Sequence, residues 1–187
     1  MSILTEALPD YIEVRGKRCH INTDFRAWLE FSEIINKDIK ETEKLFKVFK
    51  LIFDELPPNL YDGISALMKF YSHTPQKVKR EEKGILKNYF DFEYDADLIY
   101  SAFLQQYKID LCQVNMHWWT FKALFGNLSE DTHFMKAVQF RSMDISKIKD
   151  KEQKRYYQRM KALYKLPDNR SEEQKEQHIN DVMESMF

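Results

Sequence analysis

Histidine, cysteine and carboxylate side chains are where this chain would do chemistry, and their spacing decides whether they can. The histidines are His20, His73, His117, His133 and His178. None stands at an HxxxH, HExxH or Cys/His spacing that would converge two ligands on one metal ion. His117 lies in an aromatic run and reads as a hydrogen-bonded core histidine. The two cysteines, Cys19 and Cys112, fall in an expected strand and just before an apolar run. Neither has the cationic, helix-start surroundings that make a reactive thiolate. Asp91, Glu93, Asp95 and Asp97 alternate with Phe90, Phe92, Tyr94 and Ala96. A calcium loop needs a glycine in its sharp turn and a closing glutamate, both missing here, so the cluster reads as a loop entering a helix N-terminus. GxSxG, GxxxxGKS/T and GxGxxG do not occur, and four glycines are too few for a phosphate cradle. The expectation is a chain that is not an enzyme, with no catalytic, cofactor-binding or metal-ligating residues.

The elements that would position any functional side chain are mainly helices. Of 187 residues, 43% are apolar and 14% aromatic, enough to fill a core, while four glycines and five prolines argue against a turn-rich β-fold. The alternation of Tyr11–Arg15 and Arg18–Ile21 around Gly16-Lys17 predicts a small hairpin, about 11–21, that must pack on helices to be stable. Apolar spacing then predicts helices over 24–36, 41–53, 62–71 and from Asp95, as cap, through Tyr107. Further helices are expected from Val114 to Phe125, apolar nearly all round and closed by an αL cap at Gly126-Asn127, from Ser129–Thr132 to Met143, and over 150–165 with Tyr156, Met160 and Leu163 on its stripe. Phe134, Val138 and Arg141 share one face of the 129–143 helix. Residues 76–87 are polar and read as a solvated loop. Trp28, Phe103, Trp118, Trp119 and Phe121 are expected in the core. The domain reading is a helical core with its hairpin, 1–167, followed by a tail, 168–187.

Ser171-Glu-Glu-Gln174 is a capping box, and Ile179, Val182, Met183 and Met186 follow at i, i+3, i+4 and i+7, so the tail reads as an amphipathic helix. Charge is balanced overall, with 29 Lys and Arg against 30 Asp and Glu, but not locally. Residues 136–166 carry a net +7, and 168–187 a net −4. A nucleic-acid-binding regulator could use such a basic stretch, with Gly126-Asn127 as the turn of a helix-turn-helix. The following helix presents Phe134, Met135, Val138 and Phe140, which leaves few polar groups to read bases. Self-complementarity between acidic tail and basic helix is preferred, within or between subunits. Two cysteines indicate a reduced, cytosolic setting. The first residues lack a basic start and an apolar stretch, and no run is long enough to cross a membrane, so the expected location is the cytoplasm in which the chain is made.

The runs Ile21-Asn-Thr-Asp-Phe-Arg-Ala-Trp28, Tyr94-Asp-Ala-Asp-Leu-Ile-Tyr100, His117-Trp-Trp-Thr-Phe-Lys-Ala-Leu124 and Phe140-Arg-Ser-Met-Asp144, with the Lys-rich segment to Tyr164-Lys-Leu-Pro167, occur in this order. Together they resemble the bacteriophage gene-product-fifteen family, over roughly Leu8 to Pro167. The resemblance implies a small protein of phages and prophages of Gram-positive hosts, encoded in the tail module beside the tape-measure gene. It further implies a tail assembly chaperone whose partner is the tape-measure protein and, as a second partner, the tail tube protein. Self-association into a homo-oligomer is expected, with no membrane or nucleic-acid partner. A structural tail component retained in the virion is the alternative. The partner-binding residues expected on the tail are Ile179, Val182, Met183, Met186 and Phe187; methionine is the adaptable apolar residue suited to varied helical partners.

Overall fold

Two-residue hairpin loops keep strand twist by taking a mirror-image turn, and its type I′ form needs positive φ at both loop residues. Arg15 (φ 50°) and Gly16 (φ 78°) do so, one residue earlier than the Gly16-Lys17 turn expected from alternation. They join β1 (Tyr11–Val14) to antiparallel β2 (Lys17–His20), with Val14 opposite Lys17 and Ile12 opposite Cys19. Ile12, Val14 and Cys19 are buried against the helices. The computed structural model describes residues 5–73 and 89–167. The expected loop at 76–87 and the tail at 168–187 lie outside the described residues.

Seven helices follow among the described residues: α1 (Phe25–Asn36), α2 (Glu41–Ile52), α3 (Leu60–Ser72), α4 (Ala96–Tyr107), α5 (Trp118–Phe125), α6 (His133–Ser142) and α7 (Lys151–Leu163). A 3₁₀ turn, Ile145–Lys147, precedes α7. The fold is thus mainly α with an N-terminal hairpin. α1 packs on α2 and α5, α3 on β1, α4 on α6, and α6 on α7.

An aromatic column holds these helices together. Trp28 of α1 stacks on Phe70 of α3 at 4.8 Å between ring centroids and lies 6.4 Å from Trp118 of α5. Phe121 of α5 stacks between Phe25 at 4.7 Å and Phe103 at 5.2 Å. Phe125 carries the column to Phe134 of α6 at 5.3 Å. Each such pair adds about 0.5–1.5 kcal/mol beyond its area burial. Trp28, Phe103, Trp118 and Phe121 are buried as expected, whereas Trp119 is half-buried at the rim.

Helix starts are where the fold departs most from its sequence pattern. α5 begins at Trp118, not Val114, because the backbone of 116–118 bonds elsewhere. Phe25 N–H donates to the Met116 carbonyl and Trp118 N–H to the Thr23 carbonyl, at 2.9 and 2.8 Å. Asp24 and His117, the N-cap residues of α1 and α5, are therefore partners in an isolated antiparallel bridge. N-cap residues have extended dihedrals, which leaves them free to pair in this way. Arg26 fastens the same junction by donating to the carbonyls of Leu111 and Val114. Gly126 is right-handed (φ −72°), so it is not the αL cap expected; the left-handed cap is Lys108 after α4.

Gly63, inside α3, gives a clean test of packing against propensity. Alanine there should gain about 1 kcal/mol of helix propensity. A Cβ would, however, stand 2.7 Å from Cγ of the Pro57 ring and 3.4 Å from Phe49. Overpacking wins: Gly63→Ala is expected to lower stability by about 1–2 kcal/mol net, read from the denaturant midpoint.

Candidate functional site

The expected tail anchors Ile179, Val182, Met183, Met186 and Phe187 lie outside the described residues, so the site is built from what adjoins them. Asp150 starts α7 by accepting the Gln153 N–H at 2.7 Å. The helix then rests on α6 through rings: Phe140 stacks on Tyr164 at 5.6 Å and lies 6.3 Å from Tyr157. Lys161 Nζ donates to the Met143 carbonyl at 2.9 Å. No residue of α7 is fully buried. The inward stripe runs through Tyr157 and Tyr164. Tyr156 and Leu163, expected inward, are 48% and 68% exposed, a one-residue slip that a neighbouring tyrosine makes easy. Met160 is half-buried, as its stripe position requires. The outer face therefore mixes Tyr156 and Leu163 with Arg155, Arg159 and Lys165. Beside it a cleft of about 230 Å³ is lined by Tyr89, Arg141, Lys161, Lys165 and Leu166.

A buried ion pair sets where this face sits. Arg141, on the inner side of α6, donates from Nη1 and Nη2 to the two carboxylate oxygens of Asp95, both at 2.7 Å. Nη1 also donates to the Tyr89 carbonyl at 3.0 Å and Nε to the Tyr164 carbonyl at 2.5 Å. The Asp95 carboxylate accepts the Asp91 N–H as well, at 3.1 Å. Asp95 thus precedes α4 without capping it. The acidic cluster is accordingly divided among tasks. Asp91 accepts from the N–H groups of Glu93 and Tyr94, and Asp95 neutralises Arg141. Glu33 is pushed above the ordinary carboxylate range by burial first and then by the negative charge of Glu93. The signal for the ion pair was Arg141 itself: an arginine on a buried helical stripe requires a buried carboxylate.

His117, His73 and the larger cleft are committed to structure. His117 Nδ1 accepts from Trp119 N–H at 3.0 Å, which leaves the ring proton on Nε2 to donate to the Pro9 carbonyl at 3.1 Å. His117 is half-buried rather than fully in the core. His73 stacks on Trp119 at 3.8 Å and is held below its ordinary value by burial, with the Lys122 charge adding. A cleft of about 680 Å³ runs between 21–24, 50–54 and 115–117, but Asn22, Asp24 and His117 in its wall already spend acceptors on local backbone N–H groups. Among the described residues no group of three or more His, Cys, Asp or Glu converges as a metal site would require. The α3 carbonyls are closed from α5: Trp119 Nε1 donates to Phe70, Trp118 Nε1 and Lys122 Nζ to Tyr71, and Lys122 Nζ also to His73. Elsewhere Phe46, Leu56, Leu60, Tyr61 and Met68 are exposed on α2, α3 and their connection.

Two measurements check this account. Asp95→Asn leaves the Arg141 charge buried without its counter-ion, and the expected loss is about 3–5 kcal/mol in chemical denaturation. Replacing both by Leu and Met should recover part of it, since an apolar pair removes both charges. The second concerns pH. Burial lowers the His117 pKa, opposed by the Pro9 bond and aided by Lys122, so the fold favours neutral imidazole. Unfolded histidine binds its proton near pH 6.5; stability is therefore complete above about 6.5 and falls as pH drops through the folded value. His117→Asn keeps a cap acceptor without titrating, so its stability should fall less than that of the parent between about pH 7.5 and 5.5.

No described helix is long and apolar enough to cross a membrane. No curated protein and no solved structure matches the chain. A family model described as Bacteriophage Gp15 protein matches residues 4–166, covering the hairpin, all seven helices, the Asp95–Arg141 pair and the α7 face, and the chain belongs to that family.

Proposed function

We propose that this phage structural or assembly protein is a tail assembly chaperone that holds the tape-measure protein, without catalysis, until the tail tube polymerises around it. Family membership supports the coarser half of that statement. The observation that carries the finer half is the outer face of α7, where exposed Tyr156 and Leu163 alternate with Arg155 and Arg159. A tape-measure protein is a very long helical chain whose apolar stripes would self-associate before its tube exists. A holdase for it needs apolar anchors for the stripes and charge to select register. The anchors proposed are Ile179, Val182, Met183, Met186 and Phe187 on the tail, working beside α7. The tail tube protein is the second partner proposed, and a homo-oligomer in the host cytoplasm the working form.

Basic charge on 136–166 offers nucleic acid less than its count suggests, because Arg141 is neutralised internally and Lys147 pairs with Asp144 at 3.5 Å.

Co-expression with the tape-measure chain tests the proposal. The full chain should co-purify with it and raise its soluble yield, and deletion of 168–187 should cut that yield severalfold. An unchanged yield removes the tail from the contact. Mass spectrometry of purified particles should find the protein absent; stoichiometric presence would establish the structural component instead.

A further inference from the structure

The outer face of α7 is unusual for a surface helix. The helix holds five bases against one acid between Lys151 and Leu163, and Lys151, Arg155 and Arg159 follow one another at i, i+4 along its exposed side. Like charges at that spacing repel, costing an isolated helix a few tenths of a kcal/mol per pair. Among the described residues neither Arg155 nor Arg159 has an ion-pair partner. Tyr156 and Leu163 stand exposed between them.

We propose that residues 168–187 of the same chain cover this face, folding back antiparallel to α7 as a helical hairpin. Three observations choose this occupant. The first is charge: the segment carries six acids and two bases, the inverse of α7. The second is chain length. Pro167 prevents α7 from simply running on, and the seven residues 164–170 between Leu163 and the capping box at Ser171 suit a connection between antiparallel helices, commonly about 2–8 residues. The third is register. With that connection, Glu172, Glu173 and Glu176 come level with Arg159 and Lys161. Ile179 comes level with Tyr156, and Asp181 falls between Lys151 and Arg155. Val182 and Met183 come level with Glu152 and Lys151 in the first turn of α7, and Met186 extends past it toward the half-buried Ile145 and Ile148. The matched family region ends at residue 166, and the covering segment lies beyond it.

In the free protein the tail covers the face that the tape-measure protein then takes from it. The contact is measured on the purified full-length chain alone, so its failure is distinguishable from failure of the chaperone reading. Amide hydrogen exchange over 171–187 should be slowed about tenfold or more relative to a free peptide of the same sequence. It should be independent of protein concentration and weakened by high salt. Arg155→Glu with Arg159→Glu should abolish the protection, with native tryptophan fluorescence confirming an intact core. Glu176→Lys with Asp181→Lys, which changes no described residue, should abolish it independently. Combining the four substitutions should restore it in part. Exchange as fast as the free peptide overturns the proposal. So does protection indifferent to either charge reversal, or protection that grows with concentration, which would assign the face to a second copy.

Discussion

The bond between Asp95 and Arg141 is the constraint on which the second half of the molecule depends. Withdrawing two full charges from water is costly, and attraction between them offsets the cost only when every remaining donor and acceptor is met. Here all three guanidinium nitrogens and both carboxylate oxygens are bonded, and the partners are spread over the chain: the start of α4, the segment at Tyr89, the end of α6 and the end of α7. No buried side-chain polar atom among the described residues lacks a partner. The guanidinium therefore fixes angles that apolar contact alone would leave loose. The α7 face is presented where it is because Tyr164 is tied to Arg141.

The first half solves a different problem by related means. Short helices leave many terminal N–H and C=O groups unmet, and this fold satisfies them across elements rather than within them. Asp24 and His117 cap their own helices and pair with each other. Two indoles and an ammonium from α5 close α3, and the Tyr107 hydroxyl donates to the carbonyls of Leu124 and Asn127 at the end of α5. Half-buried Trp119 follows from this: its ring must reach the rim for its N–H to meet Phe70. The aromatic richness of the chain serves hydrogen bonding as well as volume.

Much of the helix pattern was legible because apolar period and cap chemistry agree, as at Asp24 and Thr132, each of which accepts a bond from its own first turn. Legibility failed where a distant backbone took over. Val114 and Met116 fit a helical stripe, yet the carbonyl of Met116 belongs to Phe25. Asp95 stands where a cap would stand, and only its sequence-distant partner Arg141 turns its carboxylate inward. On α7, adjacent tyrosines made two stripes almost equivalent, and the rings of Phe140 decided between them. Of the candidate site, the charge asymmetry was legible in composition, while the exposure of Tyr156 and Leu163 required the packing of α6.

The closure of α3 by α5 has a consequence for how the chain matures during synthesis. A helix ended by its own glycine is complete once its last residue leaves the ribosome. The carbonyls of Tyr71 and His73 instead await side chains about fifty positions downstream, the last of them Lys122. Trp28, whose ring lies against Trp118 as well as Phe70, must wait with them. The nascent amino-terminal half therefore holds an open-ended helix and an uncovered aromatic layer until translation has passed the middle of the chain.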